Sequence, residues 1–220
     1  MLTKDKAFVI PNFFEEAEML EWAGISFGET ETFKLSKAIK RLAVMSGADR
    51  LRFVGKIYGS QKDYWVTCGV LAHAEEQVED RSLEKRGEGV NKLVFWVTDN
   101  LLNDWIQLPD AEPKHIQSAR LVKKMFTGNL NANVESCPPF PGKERHLLRA
   151  QLARIFHSTA IVPKGLFEID EETQEMRFAE EFAMPSTDEL RDTANWSHLH
   201  PVILKAGRTT HAEPEGMEEE

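Results

Sequence analysis

Near Gly47 the hydrophobic period of this chain switches from that of a helix to that of a strand, and the switch restricts the possible fold more than any other feature. Upstream, Phe33, Ala38, Ile39, Leu42 and Met45 form an apolar stripe on a helix predicted over residues 29–45, opposite Lys34, Lys37, Lys40 and Arg41. Downstream, Leu51, Phe53 and Ile57 alternate with Arg52 and Lys56, the two-residue repeat of a half-buried strand. After a turn over residues 59–63, the run from Tyr64 to Leu71 is rich in strand formers, so the two segments read as a β-hairpin. Gly55 and Gly69 within it mark either bulges and a close backbone approach or a loosely specified edge. Helices that precede a hairpin point to the α+β class, with N-terminal helices packed on a mainly antiparallel sheet.

The flanking segments extend this pattern. Asn12 as N-cap, Glu15 at the capping-box position and Gly24 as terminator predict an opening helix. Residues 73–91 are dense in charge and read as a solvated loop, followed by a third strand over Lys92 to Thr98. Pro113 suits a first helical turn, and Ile116, Ala119 and Phe126 carry that short helix to Gly128. Residues 147–156 support two readings. Leu148, Leu152 and Ile155 fit a helix, whereas Leu148, Ala150 and Leu152 alternate; a strand pair with residues 159–163 is preferred because it would extend the sheet. Ser186 and Glu189 form a capping box for a last helix that Pro201 breaks before Gly207. The expected organisation is a core over residues 1–170, an acidic segment with the C-terminal helix over 171–208, and a disordered acidic tail over 209–220.

With 220 residues the chain can bury one sizeable core. Its apolar runs are far shorter than a membrane span, and its first residues lack a secretory pattern, so an intracellular, non-membrane protein is expected. Two cysteines, Cys68 and Cys137, then read as reduced thiols, and Asn195-Trp196-Ser197 is discounted as a glycosylation acceptor. Net charge is −9, and the imbalance lies in residues 171–220, with 4 basic and 13 acidic groups against 23 of each in residues 1–170. A basic middle preceding an acidic end is either a solvated surface, the preferred reading of charge alone, or a device for charge-steered association with other proteins.

Chemistry is sparsely marked. Gly87-Glu88-Gly89 lacks the strand-to-helix context of a nucleotide site, and His198-x-His200 has no third ligand at metal spacing. A thiol–imidazole dyad of Cys137 with His146 or His157 is conceivable, but no oxyanion donor accompanies it. Lys114, Arg120, Lys123, Lys124, Lys143, Arg145 and Arg149 are interleaved with apolar positions in an acidic chain, which argues against nucleic-acid binding. No catalytic residue, cofactor, metal or small-molecule substrate is expected. Pro138-Pro139-Phe140-Pro141-Gly142 is a rigid segment that either plugs the core with Phe140 or displays it to a partner, with the core role slightly preferred.

Several motifs recur together in one known order. Phe53-Val54-Gly55-Lys56-Ile57-Tyr58-Gly59, Trp105-x-x-Leu108-Pro109, Lys123-Lys124-Met125-Phe126-Thr127-Gly128, the Pro138 to Gly142 segment, the run Leu148 to Ile155 and Pro163-Lys164-Gly165 resemble radial spoke head proteins of the 4/6 type, subunits of the ciliary axoneme. The resemblance covers nearly the whole chain. Members of that family run longer, and Glu112 stands where they carry a hydroxyl residue before the helix proline. The resemblance implies a structural subunit of the radial spoke head in the ciliary or flagellar axoneme. It would pair with a 4/6-type copy and a 9-type subunit and meet central apparatus projections, thereby supporting spoke-head assembly and motility control. Trp105, Pro138, Pro139, Phe140 and Pro141 are the candidate partner-interface residues. The competing expectations are a non-ciliary adaptor of the same fold and a thiol-dependent hydrolase using Cys137.

Overall fold

A computed structural model describes residues 13–21, 26–71, 83–169 and 176–210. The predicted caps Asn12 and Gly24, most of the charged loop and residues 211–220 of the tail lie outside the described residues. The elements in order are α1 (Phe13–Glu21), α2 (Gly28–Ser46), β1 (Ala48–Ile57), β2 (Tyr64–Leu71), β3 (Val94–Thr98), β4 (Ile106–Gln107), α3 (Pro113–Ala119), α4 (Glu144–Thr159), β5 (Ile161–Pro163), β6 (Phe167–Ile169), β7 (Met176–Phe178) and β8 (Trp196–His198). Four strands form an antiparallel sheet in the order β1-β2-β3-β4, and two small antiparallel pairs join β5 to β8 and β6 to β7. The α+β expectation therefore holds.

The helical-to-strand switch falls where the sequence places it. Gly47, with φ of 62°, ends α2 in the left-handed conformation that an L side chain resists, and the chain enters β1 one residue later. The buried face of α2 consists of Leu35, Ala38, Ile39, Leu42 and Ala43, with Thr32 and Ser36 at its edge. Phe33 and Met45, both assigned to the stripe, are exposed: the true stripe is centred a fraction of a turn away, on Leu35 and Ala43.

Strands β2 and β3 are buried along almost their full length because both faces of the sheet are covered. On one face Trp65, Val94, Trp96 and Leu51 pack against α2. On the other, Tyr64, Val66, Cys68, Phe95 and Val97 pack against Leu148 and Leu152 of α4. Alternate residues of one strand thus serve two cores, which is what a two-residue repeat permits. Both internal glycines follow the bulge and close-approach reading. The pairing skips a residue between Phe53 and Gly55, while a Cβ on Gly69 would lie 2.3 Å from the Arg50 carbonyl oxygen.

Four expectations are corrected. Residues 144–159 are helix α4, not half of a strand pair, and β5 pairs with β8 instead. A helix lets Leu148 and Leu152, one turn apart, cover the second sheet face, which is worth more than another edge strand. Helix α3 stops at Ala119 rather than Gly128, because the following segment is captured by the β1–β2 turn: Ser60 N–H donates to the Phe126 carbonyl at 2.8 Å and Gln61 N–H to that of Thr127 at 3.0 Å. Ser186 and Glu189 do make their capping contacts, yet only 3-10 turns over Glu189–Arg191 and Thr193–Asn195 follow before β8. Finally, the described end of the charged loop is not solvated throughout. Glu84, Val90 and Asn91 are buried, and Thr209 and Thr210 of the predicted tail bond to Glu84.

Candidate functional site

The rigid proline segment meets the core through one side chain. Phe140 is buried with Ile116, Ala119, Val122, Leu147 and Ala150, while Pro138, Pro139 and Pro141 are exposed. The ring of His115 stacks on Phe140 at 5.7 Å and on His146 at 4.7 Å, and His115 Nε2–H donates to the Pro141 carbonyl at 3.1 Å. His146 Nδ1 accepts from the Lys143 backbone N–H at the start of α4. Burial holds both imidazoles below their ordinary pKa, against the opposing charge of Glu112 and, for His146, with the added effect of the His115 and Arg145 charges, so at neutral pH they are mainly uncharged ring surfaces. Phe140 therefore plugs this chain's own core. Trp105 sits elsewhere, half-buried against the α2 core with its indole N–H donating to the Ala38 carbonyl at 3.1 Å. The five candidate interface residues thus fall into two clusters: Trp105 beside α2, and the proline segment beside α3 and α4.

Around this segment runs a set of buried polar residues that sequence reading missed. Glu144, at the first turn of α4, accepts from Tyr64 Oη, the backbone N–H of Thr127, its hydroxyl and the backbone N–H of Gly128, all at 2.8–2.9 Å. Burial together with this carboxylate pushes the Tyr64 phenol far above its usual range. Gly128, with φ of 94°, lies so close to the hairpin turn that a Cβ there would sit 2.3 Å from the Lys62 carbonyl oxygen. The Lys123 to Gly128 motif is accordingly a clasp joining the β1–β2 turn to α4.

Arg149 occupies the middle of α4, fully buried. It donates to the carbonyls of Val90 and Leu93 and to Asn91 Oδ1, and its guanidinium lies 4.8 Å from the Phe95 ring centroid. Burial pulls its pKa down to about 10, which leaves it charged at neutral pH. Asn91 in turn binds the Glu84 and Ala111 carbonyls and the Ala111 N–H. Glu84 accepts from Val90 N–H and from the backbone and hydroxyls of Thr209 and Thr210, bonds that hold its pKa below the usual carboxylate value against the opposing effect of burial. A charged residue at these positions carries no periodic signal that distinguishes it from a surface one. Only the interruption of an apolar face at Arg149 hints at a buried charge.

The reactive-thiol expectation finds no assembled centre. Both cysteines are free; Cys68 is buried, its thiol pushed up to about 11 by burial, and Cys137 is exposed. His146 engages Lys143 and His115, and His157 Nδ1–H donates to the Pro201 carbonyl at 2.7 Å, so neither is poised on Cys137 as base. Among the described residues no group of three or more His, Cys, Asp or Glu side chains could hold a metal, and no helix is long and apolar enough to cross a membrane. Two clefts open on the surface, of about 420 Å³ beside the hairpin turn and about 470 Å³ between α4 and the segment after β8.

Comparison with known proteins places the chain among relatives. The family described as radial spokehead-like protein matches residues 3–86 and 70–220. The chain is 31% identical to flagellar radial spoke protein 4 of Chlamydomonas reinhardtii over 91% of its own length and 48% of that protein. It is 32% identical to radial spoke head protein 4 homolog A of Homo sapiens, over 90% of the chain and 34% of that protein. Radial spoke head protein 6 homolog A of Xenopus tropicalis is 32% identical over 90% of the chain and 47% of that protein. The chain thus spans between about a third and a half of the length of these relatives. With a family match running nearly from end to end, and relatives at 31–32% identity over about nine-tenths of its length, the chain belongs to the radial spokehead-like protein family.

Proposed function

We propose that this chain is a structural subunit of the radial spoke head in the ciliary or flagellar axoneme, where it supports spoke-head assembly and the regulation of motility between the central apparatus and dynein. The observation that carries this reading is the end-to-end family match, together with relatives named as flagellar radial spoke or radial spoke head proteins. The interior supports it in physical terms. Its buried charged residues, Glu84, Glu144 and Arg149, bond to the protein's own backbone and side chains, although Arg149 Nη1 has no partner among the described residues, and this favours a rigid frame over a reactive centre. The protein is not an enzyme. Its partners are another copy of the 4/6 type, a 9-type head subunit and central apparatus projections, engaged by shape and charge complementarity. Pro138, Pro139 and Pro141, presented by the anchored Phe140, form one contact, and the region around Trp105 forms another. Expressing a tagged chain in a ciliated cell tests the reading: the tag lines the axoneme and stays with it after detergent removes the membrane, whereas a tag released with the soluble fraction contradicts it.

A further inference from the structure

The cleft of about 470 Å³ between α4 and the segment after β8 is lined by two arginines, the polar side chains of Gln151, Ser158, His157 and His198, and apolar side chains. Arg120, Arg154, His157 and Ser158 line it with Ile155 and Val202, and no carboxylate is among its lining residues. Arg120 Nη2 donates to the carbonyls of Ile203 and Leu204, and Arg154 Nη1 to the Ala119 carbonyl and Gln151 Oε1. Those bonds fix both guanidiniums but use one nitrogen of each. The remaining donors, Nε and Nη1 of Arg120 and Nε and Nη2 of Arg154, have no acceptor among the described residues, and a guanidinium offers five N–H groups in all. The two cations are close enough that Arg120, after burial, contributes to lowering the Arg154 pKa. Elsewhere on the chain, partly buried cations such as Arg86 and Lys56 have carboxylate partners. Here two arginines held by hydrogen bonds line one cleft, with no carboxylate partner among the described residues.

Beside them Ile155 is 50% exposed and Val202 60% exposed, so the charged floor has an apolar rim. A cation pair fixed by backbone carbonyls, with aliphatic side chains at its mouth, suits a carboxylate flanked by an apolar residue better than the evenly spaced phosphates of a nucleic acid. We infer that this cleft is a docking site for an acidic segment of a neighbouring protein chain, which places an Asp or Glu carboxylate between Arg120 and Arg154 and an aliphatic residue on Ile155 and Val202. The inference rests on the scaffold reading only for its choice of a protein occupant.

The test uses the full chain and a fluorescein-labelled synthetic peptide of Glu and Leu, compared with the same peptide carrying Gln at every Glu, by fluorescence anisotropy at low and physiological salt. Ser158→Glu puts a carboxylate into the cleft without removing any bond of either arginine, since the Ser158 hydroxyl bonds only to carbonyls of its own helix. Expected is binding of the Glu peptide at least tenfold tighter than the Gln peptide and weakened at least tenfold by Ser158→Glu, with Ser158→Ala unchanged. Val202→Glu, on the opposite wall, should reproduce the loss and stands in if Ser158→Glu does not fold. Equal binding of both peptides, or binding untouched by either Glu variant, overturns the inference. So does oligothymidine binding that the Glu variants abolish while the Glu peptide fails to bind, which would give the cleft to phosphodiesters. Spoke-head co-purification is a separate readout. A chain that assembles with an empty cleft fails this inference alone, and a chain that binds the peptide but never assembles fails the functional reading alone.

Discussion

Glu144 joins three pieces of chain through one side chain: the start of β2 at Tyr64, the clasp at Thr127 and Gly128, and the first turn of α4. Removing it strands a phenol and two backbone N–H groups in the interior. Glu144→Ala should therefore cost about 3 kcal/mol or more, since each buried donor left unpaired costs about 1–3 kcal/mol, read as a shift in the urea unfolding midpoint. The phenol supplies a pH signature. Its pKa is raised in the folded state above its unfolded value near 10. The native state then holds the proton that the unfolded chain releases, so this contribution is complete below pH ~10 and is lost as pH rises beyond it. The stability difference between wild type and Tyr64→Phe should be constant up to about pH 10 and change above it; a difference already changing near neutrality would contradict the geometry. At the acid end the sign runs the other way. Burial lowers His115, His146, His157 and, to about 4, His200. The unfolded chain takes up protons first, and stability should fall as pH drops from about 6.5 toward about 4. His200→Asn should flatten that slope in equilibrium unfolding.

At the scale of elements, the hairpin and α2 were legible because their signals are local. The change of period, the turn over residues 59–63 and Gly47 each act within a few residues. Helix α4 was not legible as such, because its inner face is broken by Arg149 and diluted by Ala150 and Ala153, and only the uncovered sheet face across the molecule decides between helix and strand. The same reason hid the end of α3: the residues after Ala119 keep a helix-like spacing, but a non-local pairing with the β1–β2 turn overrides it. Of the candidate interface, an aromatic among prolines left burial of Phe140 as only the slightly preferred of two readings, whereas the stack of His115 and His146 beneath it joins residues 31 positions apart and left no mark in the sequence. Gly128→Ala tests the clasp. It imposes a positive φ on a side chain and a 2.3 Å approach to the Lys62 carbonyl, so a loss of at least 1–3 kcal/mol is expected, with amide exchange fastest at the hairpin turn. Loss of stability without local exchange at residues 59–63 would place the strain elsewhere.

For the molecule as a whole, α2, the sheet and α4 form three layers, and the segment after β8 ties back to α3, α4 and the segment before β3. Glu84 accepts from Thr209 and Thr210, 125 and 126 residues away, and Arg120 holds the carbonyls of Ile203 and Leu204. These long-range bonds tie the end of the described chain to α3 and to the segment before β3. Replacing Glu84 with Gln should loosen the strap after β8 before the sheet, seen as faster amide exchange at residues 203–210 with β2 and β3 still protected. Uniform loss of protection would mean the strap is integral to the core. The rigid frame is proposed to act by contact within a spoke head. The most direct test is to purify the tagged chain from axoneme extract and identify what comes with it. Stoichiometric recovery of other spoke-head subunits in one complex is expected; a monodisperse monomer that binds none of them would contradict action by contact within a spoke head.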